Sequence, residues 1–331
     1  MQTITAKSDL QVLKDIHPKT KQPVPWDRKK KETALMAASH YRISKIDPDF
    51  TNRFSKLHEC GNYLQFKHFL KTGERKLFRA NFCKYRLCPM CSWRRSLKIF
   101  GQASQVMDEA IKQNYRFLFV TFTIKNCHKV HLRRELDNIY NALVRLNRRK
   151  EFTSVVKGWM RVIEITHNID STSKDYDTYH PHVHAIWAVK PSYFTGNRDY
   201  LSQAKLTDIW QKVAKLDYKP IVHIEAAHTA NKGHIREVAK YSVKPSDILH
   251  ENWDMTDSAV WSLDQALFNR RLLSWGGILK KIRASFNFDD PETGDLINVD
   301  GQEDLNPELD YIIEKYFWNV GFNQYHKSTK D

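Results

Sequence analysis

The sequence predicts an α+β protein whose core is an antiparallel sheet with helices packed on one face. Three observations carry that class. Between Phe117 and Val243 the apolar spacing alternates between period 2 and period 3.6 in the order β-α-β-β-α-β-α. Two of those strands follow one another with no helix between them, which is the mark of antiparallel neighbours. Four of the five cysteines lie within residues 51–95, ahead of this core, as a separate small module would have them.

Taken in order, residues 1–50 hold a basic, proline-bearing run from Lys19 to Lys31 and then a short helix from Glu32 to Ser44, and they read as a flexible arm. Residues 51–95 form the cysteine-rich module. The core, residues 96–250, opens with a helix from Ser96 to Gln113. A strand follows at Phe117–Lys125, then a helix over Leu132–Arg149 with Leu136, Ile139, Leu143 and Leu146 on one side, then a strand at Gly158–His167. The histidine-bearing strand 182–189 comes next, followed by a helix over Leu201–Leu216, a strand at Ile221–Glu225 and a last helix from Gly233 to Val243. Residues 251–331 read as a helical C-terminal region, with helices over Asp257–Leu273 and Gly277–Ser285, an acidic segment and an aromatic stretch from Tyr311 to Phe322.

The chain of 331 residues suffices for one large domain or two ordinary ones, each with its own core. No apolar run approaches the roughly 20 residues that a membrane span needs, and the N-terminus lacks the apolar centre of a signal peptide. A cytoplasmic protein with no membrane partner is expected. The formal net charge is +15, and it is unevenly spread. Ten acids and no Lys or Arg lie between Ala284 and Glu314, so the rest of the chain sets 28 acids against 53 bases. A cation of that size, with aromatics interleaved among the bases, points to a nucleic acid partner. The acidic segment reads as a solvated linker or as a mimic of the polyanion.

Cys83, Cys88 and Cys91 stand in the run Cys-Lys-Tyr-Arg-Leu-Cys-Pro-Met-Cys. Thiolates at that spacing can reach one tetrahedral ion, so the run reads as a structural zinc knuckle. Cys60, placed on the preceding strand, is the fourth ligand, and His58 competes for that position. A disulfide framework is disfavoured by an intracellular setting and an odd cysteine count, and Cys127 is a bystander. Arg86, Arg94 and Arg95 with Tyr85 and Trp93 suit a surface that faces phosphates.

His182 and His184 share one face of their strand because side chains alternate, with Val183 on the other. With 15 histidines in the chain such a pair means little alone. Glu164 supplies the context. It sits mid-strand between Ile163 and Ile165, where an unpaired carboxylate would cost several kcal/mol to bury. A His182–His184–Glu164 site with open positions fits Mn²⁺ or Mg²⁺, with Zn²⁺ also compatible, acting on a phosphate oxygen. His180 is a supporting or alternative ligand. On the last core helix, His234, Glu237, Tyr241 and Lys244 recur at spacings of three and four and so share a face. Tyr241 is a candidate nucleophile, Lys244 a charge stabiliser and Glu237 a general base.

These elements together resemble the HUH endonucleases, and within them the replication initiators of small bacterial rolling-circle plasmids. Phe117–Thr123 (FLFVTFT) looks like their first motif, His182-Val183-His184 like the metal motif, and Glu237–Lys244 like the Glu-x-x-x-Tyr-x-x-Lys form of the tyrosine motif. Phe82–Arg95 resembles the cysteine module of that plasmid subgroup, and the likeness spans about residues 55–285. The resemblance implies a ferredoxin-like core with the histidine strand central. It implies an origin-binding nickase and strand transferase in which Tyr241 becomes joined to a 5′ phosphate and Glu237 activates water at termination. A host helicase and a DNA polymerase are its implied partners, and a homodimer is compatible with it. Two other classes stay open at this point: a non-catalytic zinc-bearing DNA-binding regulator, and a relaxase or transposase of the same superfamily.

Overall fold

The computed structural model describes residues 11–195, 200–227, 232–240, 242–299 and 310–328. It is a mixed α+β structure with two antiparallel sheets, one in each of two compact units, Met1–Arg95 with Asp295–Asp331, and Ser96–Gly294. In chain order the first unit contributes α1 (Trp26–Ile43), α2 (Asp49–Glu59), β1 (Tyr63–Phe69) and β2 (Arg75–Ala80), and α3 (Pro89–Lys112) begins in it. The second holds β3 (Arg116–Thr123), α4 (Lys129–Asn147), α5 (Lys150–Thr153), β4 (Gly158–Asn168), β5 (Thr178–Val189), α6 (Gln203–Ala214), β6 (Val222–Ala226), α7 (Gly233–Val238), α8 (Trp253–Leu267), β7 (Leu273–Gly276) and α9 (Gly277–Ser285). The chain then supplies β8 (Tyr311–Asn319) and β9 (Gln324–Lys327) to the first unit. Among the described residues no helix is long and apolar enough to cross a membrane.

The five-stranded sheet of the second unit has the order β6-β3-β5-β4-β7, so the histidine strand β5 is central, paired with β3 on one side and β4 on the other. One sheet face carries Phe122 and Trp187, which meet Trp210 of α6 and Phe152, and α4 packs against β5 and α6. The other face does not lie open. Phe117, Phe119, Met160, Val162, Ile186 and Ala188 form one apolar cluster with residues of α3, α7 and α9. The expectation of helices on one face is therefore corrected: the sheet is covered on both. The strands' apolar residues occupy both parities, as strands buried on two faces require.

Three further expectations give way. The region read as a flexible arm is built into the first unit from Gln11 onward, Val12 bridging His326 and the Leu13 N–H donating to the Tyr325 carbonyl at 2.9 Å. The Trp26 indole donates to Asp15 at 2.7 Å and is 3% exposed, and its ring meets Phe66 and Trp93 edge-on. The C-terminal region is helical only as far as α9. The aromatic stretch from Tyr311 is a strand paired along its length with β1, in the sheet order β2-β1-β8-β9. Enrichment in aromatic and β-branched residues favours a strand here, and β1 offers it an edge. The last core helix is also short. α7 ends at Val238, and the Ser242 carbonyl accepts instead from the Ile165 amide of β4 at 2.8 Å, past the point where β7 stops pairing.

Glu314 ties β8 into the first unit. It is 4% exposed, accepts from Arg75 Nε at 2.7 Å, Lys327 Nζ at 2.9 Å and the Tyr316 hydroxyl at 3.2 Å, and lies 3.3 Å from His68. Burial works to raise its pKa, but the hydrogen bonds and charges of Arg75 and Lys327 hold it down to about 2. A carboxylate depressed in the fold stabilises fully above its unfolded pKa, near 4.5, and that gain is lost as pH falls toward 2. Glu314→Gln is expected to cost about 1–2 kcal/mol at pH 7, less than full linkage because its cationic partners are partly in solvent. Denaturant titrations followed by tryptophan fluorescence check this: the gap between the two proteins should close between pH 4.5 and pH 2, and a gap that does not vary with pH would overturn it.

Candidate metal centres

Cys60, Cys83, Cys88 and Cys91 converge in the first unit. Cys60 caps the C-terminus of α2, not a strand as expected, Cys83 lies in the loop after β2, and Cys88 and Cys91 open α3. Their sulfurs stand 3.5 Å apart for Cys60 and Cys91, 3.6 Å for Cys83 and Cys91, and 3.5 Å for Cys88 and Cys60. A tetrahedron with metal–sulfur bonds of about 2.3 Å has edges of about 3.8 Å, so the four thiols already sit close to the spacing that a single ion needs. His58 is exposed and outside the cluster. Neighbouring thiols push Cys60 up and burial pushes Cys91 up, while hydrogen bonds from the other cysteines, acting against burial, hold Cys88 down, so the group as it stands shares its protons. The Lys84 and Cys83 amides donate to Cys91 and Cys60 sulfurs at 3.2 and 3.4 Å, and Pro89 starts α3 so that its N-terminus faces the cluster.

The basic run of the sequence finds its role here. Lys30 is 2% exposed and donates to the carbonyls of His58 and Cys60 at 3.1 and 2.8 Å, satisfying the C-terminal end of α2. Burial lowers its pKa, and the neighbouring cysteines oppose that by favouring its charge. Arg94 and Trp93 do not face phosphates. Arg94 is 6% exposed and donates to the carbonyls of Leu296 and Ile297 at 2.9 and 2.6 Å, while Trp93 packs on Trp26.

The second centre is in the second unit. Register places Glu164 of β4 directly opposite His182 of β5, and Thr121 of β3 opposite His184. Glu164 Oε2 lies 3.5 Å from His182 Nε2 and 3.3 Å from His184 Nε2, and the three residues form a group that could hold one ion. The other ring nitrogens are occupied. His182 Nδ1 bonds the His180 carbonyl at 3.1 Å, and His184 Nδ1 bonds the Thr121 hydroxyl at 3.0 Å. For His182 this makes Nδ1 a protonated nitrogen, so that Nε2 is the nitrogen left to face Glu164 or a metal. Phe119 stacks on both His184 and His234, at 5.6 and 4.8 Å between ring centres, and holds the His184 ring flat.

Glu164 is 3% exposed. Burial alone would raise its pKa, but hydrogen bonds from His182 and His184, with the charges of His182 and Lys244, hold it well below the usual carboxylate range. Lys244 reaches the second oxygen, with Nζ 3.1 Å from Oε1. Burial disfavours its charge, and Glu164 first, then Asp247 and Glu237, more than restore it, so its pKa is raised. Lys244 is in extended backbone before Pro245, beyond the end of α7. The expected single helical face from His234 to Lys244 is thus not formed, because the helix stops at Val238 and Lys244 meets the site from extended backbone. Glu237 forms an ion pair with Lys240, and His234 bonds Glu225 at 2.9 Å. His180 stacks on His182 at 5.3 Å without joining the three-residue group, and burial lowers its pKa. Tyr241 lies outside the described residues, as do Asp300, Glu303, Asp304 and Glu308 of the acidic segment. Sequence reasoning missed Thr121 and Phe119 as supports of His184. Their alternation along β3 gave the face they share, but only strand pairing gives the residue that they meet.

The family model for "Replication protein" matches residues 74–326, a range that takes in the Glu164–His182–His184 centre and three of the four cysteines, Cys60 lying ahead of it. The chain belongs to the replication protein family. A protein rep of Bacillus amyloliquefaciens is 33% identical over 97% of this chain and 98% of its own length. One from Lentilactobacillus hilgardii is 35% identical over 95% and 97%, and one from Lactiplantibacillus plantarum 37% identical over 82% and 87%. No solved structure matches the chain. Membership among replication initiators, expected from the motifs, is thereby borne out.

Two outcomes follow for the centres. Thr121→Val is expected to weaken Mn²⁺ binding by about 10–100-fold with the fold intact, read by calorimetric titration, because His184 loses the partner that orients it. Purified Cys60→Ala protein is expected to lose one equivalent of zinc by elemental analysis while His58→Ala keeps it. The reverse pattern would make His58 the ligand.

Proposed function

We propose that this replication protein starts rolling-circle replication of a small plasmid by nicking one strand at a double-strand origin, Tyr241 becoming joined to the 5′ phosphate. One observation carries the reading: Glu164, His182 and His184 converge at the central strand, and Ser242 and Lys244 are bonded beside them, to Ile165 and Glu164. We read the order β6-β3-β5-β4 with crossover helices α4 and α6 as a ferredoxin-like core, to which β7 adds an edge.

In this mechanism the tyrosine oxygen attacks phosphorus and the bond from phosphorus to the 3′ oxygen breaks, leaving a 3′ hydroxyl that primes synthesis. A divalent cation held by Glu164, His182 and His184 would polarise a non-bridging phosphate oxygen. The two imidazoles favour Mn²⁺ over Mg²⁺ in that set, and Zn²⁺ also suits it. Lys244, kept charged by Glu164, offsets the negative charge that develops at the phosphate. Glu237 takes a proton from the water that resolves the intermediate at termination. Cys60, Cys83, Cys88 and Cys91 would hold a structural Zn²⁺, which would secure α2 and α3. The protein works in the cytoplasm with a host helicase and DNA polymerase, as a monomer or homodimer.

The test is Tyr241→Phe on a supercoiled plasmid carrying the origin and on a single-stranded origin oligonucleotide. The expected result is loss of the nicked circle and of the covalent protein–DNA band, with origin binding retained. Unchanged nicking would favour a regulator in which Tyr241 has no chemical part.

A further inference from the structure

We propose that the outward face of the β2-β1-β8-β9 sheet is a platform for single-stranded DNA, separate from the metal centre of the second unit. The inward face of this sheet is filled: Leu64, Phe66 and Tyr316 are buried, and Phe66 meets Trp26 and Tyr316 edge-on. Alternation sends Tyr63, Lys67, Tyr311, Lys315 and Phe317 outward, with Ile313 exposed among them and Gln65 and Phe69 buried beneath their side chains. Phe78, at a bulge in the β1–β2 pairing, is 37% exposed, Tyr311 45% and Phe317 49%. Tyr63 pairs with Phe317 across β1 and β8, the rings 5.1 Å apart.

The charges choose the occupant. The four strands carry six Lys or Arg, and Glu314, their only acid, points inward and is neutralised by Arg75 and Lys327. On the outward side Lys67 lies over the rings of Phe78 and Tyr311, at 5.1 and 4.8 Å, and Arg79 lies over Phe78 at 5.1 Å. Lys315 stands between Tyr311 and Phe317 on the same face. A protein partner selected for an apolar patch gains nothing from cations interleaved at this density. A single strand uses both, its bases stacking on rings while its phosphates meet the cations. Tyr311 and Phe317, six residues apart on one strand, are about 20 Å apart, which sets a footprint on the order of four nucleotides. A site of this kind suits a protein whose family acts in replication, where single strands are exposed, and it does not depend on the reading of Tyr241.

The experiment uses the full chain without added divalent metal and a fluorescein-labelled oligothymidylate of twelve nucleotides, which lacks any origin sequence. Anisotropy titrations compare the natural protein with Phe317→Ala, Phe78→Ala and Phe317→Trp. Each alanine variant is expected to bind at least fivefold more weakly with an unchanged thermal melt, and the tryptophan variant to restore affinity. Photocrosslinking of 5-iodouracil oligonucleotide is expected to label peptides of β1, β2 or β8. Affinity unchanged in both alanine variants, or labelling confined to other peptides, overturns the proposal. So does a change of oligomeric state with affinity retained, which would assign the face to a second copy of the chain.

Discussion

A carboxylate buried between two isoleucines on a central β-sheet is the constraint around which the second unit is arranged. Glu164 is nearly sealed from solvent, and an ionised group there must be compensated at every oxygen. Oε2 faces two imidazoles and Oε1 an ammonium, and each partner comes from a different part of the chain. The pairing of β4 with β5 delivers His182, the pairing of β3 with β5 supplies the hydroxyl that orients His184, and the extended backbone before Pro245 delivers Lys244. A slip of one residue in either strand pair would turn these side chains to the opposite face. Strand register is thus the same thing as the assembly of the centre.

The first unit solves a similar problem with sulfur. Its four thiols come from a helix end, a loop and a helix start, so a bound ion would join three segments of the chain. Around them the unit buries charged groups that each have a dedicated partner: Lys30 on the carbonyls ending α2, Arg94 on the carbonyls of Leu296 and Ile297, and Glu314 between Arg75 and Lys327. Several of these join residues from the two ends of the sequence. The unit is closed by its C-terminal strands as much as by its cysteines.

Much of this was legible in the residues. Alternation marked β3, β4 and β5, helical spacing marked α4, α6, α8 and α9, and the odd placement of Glu164 among isoleucines identified the third member of the histidine group. The cysteine spacing identified three thiols and left Cys60 and His58 open. What stayed hidden is non-local. The aromatic stretch from Tyr311 has strand composition, but nothing nearby in the chain announces that its partner is β1. Trp26 and Lys30 look like parts of a basic arm until a groove for the indole and a helix end for the ammonium are supplied from elsewhere. The polar stripe from His234 to Lys244 has helical spacing, yet the helix stops at Val238 and the Ser242 carbonyl is bonded to β4.

The sequence by itself determined the α+β class, the order of the core elements, the family to which the chain belongs and the side chains able to bind metal, because these follow from local periodicity and from residue chemistry. Only the tertiary structure decided which face of the sheet those side chains share, that Cys60 completes the thiol group, that Lys244 meets Glu164, and that the chain's end closes its beginning. The reason is physical: register and packing are set by contacts between segments far apart in the chain, and a strand's own pattern specifies that it needs a partner without specifying which one.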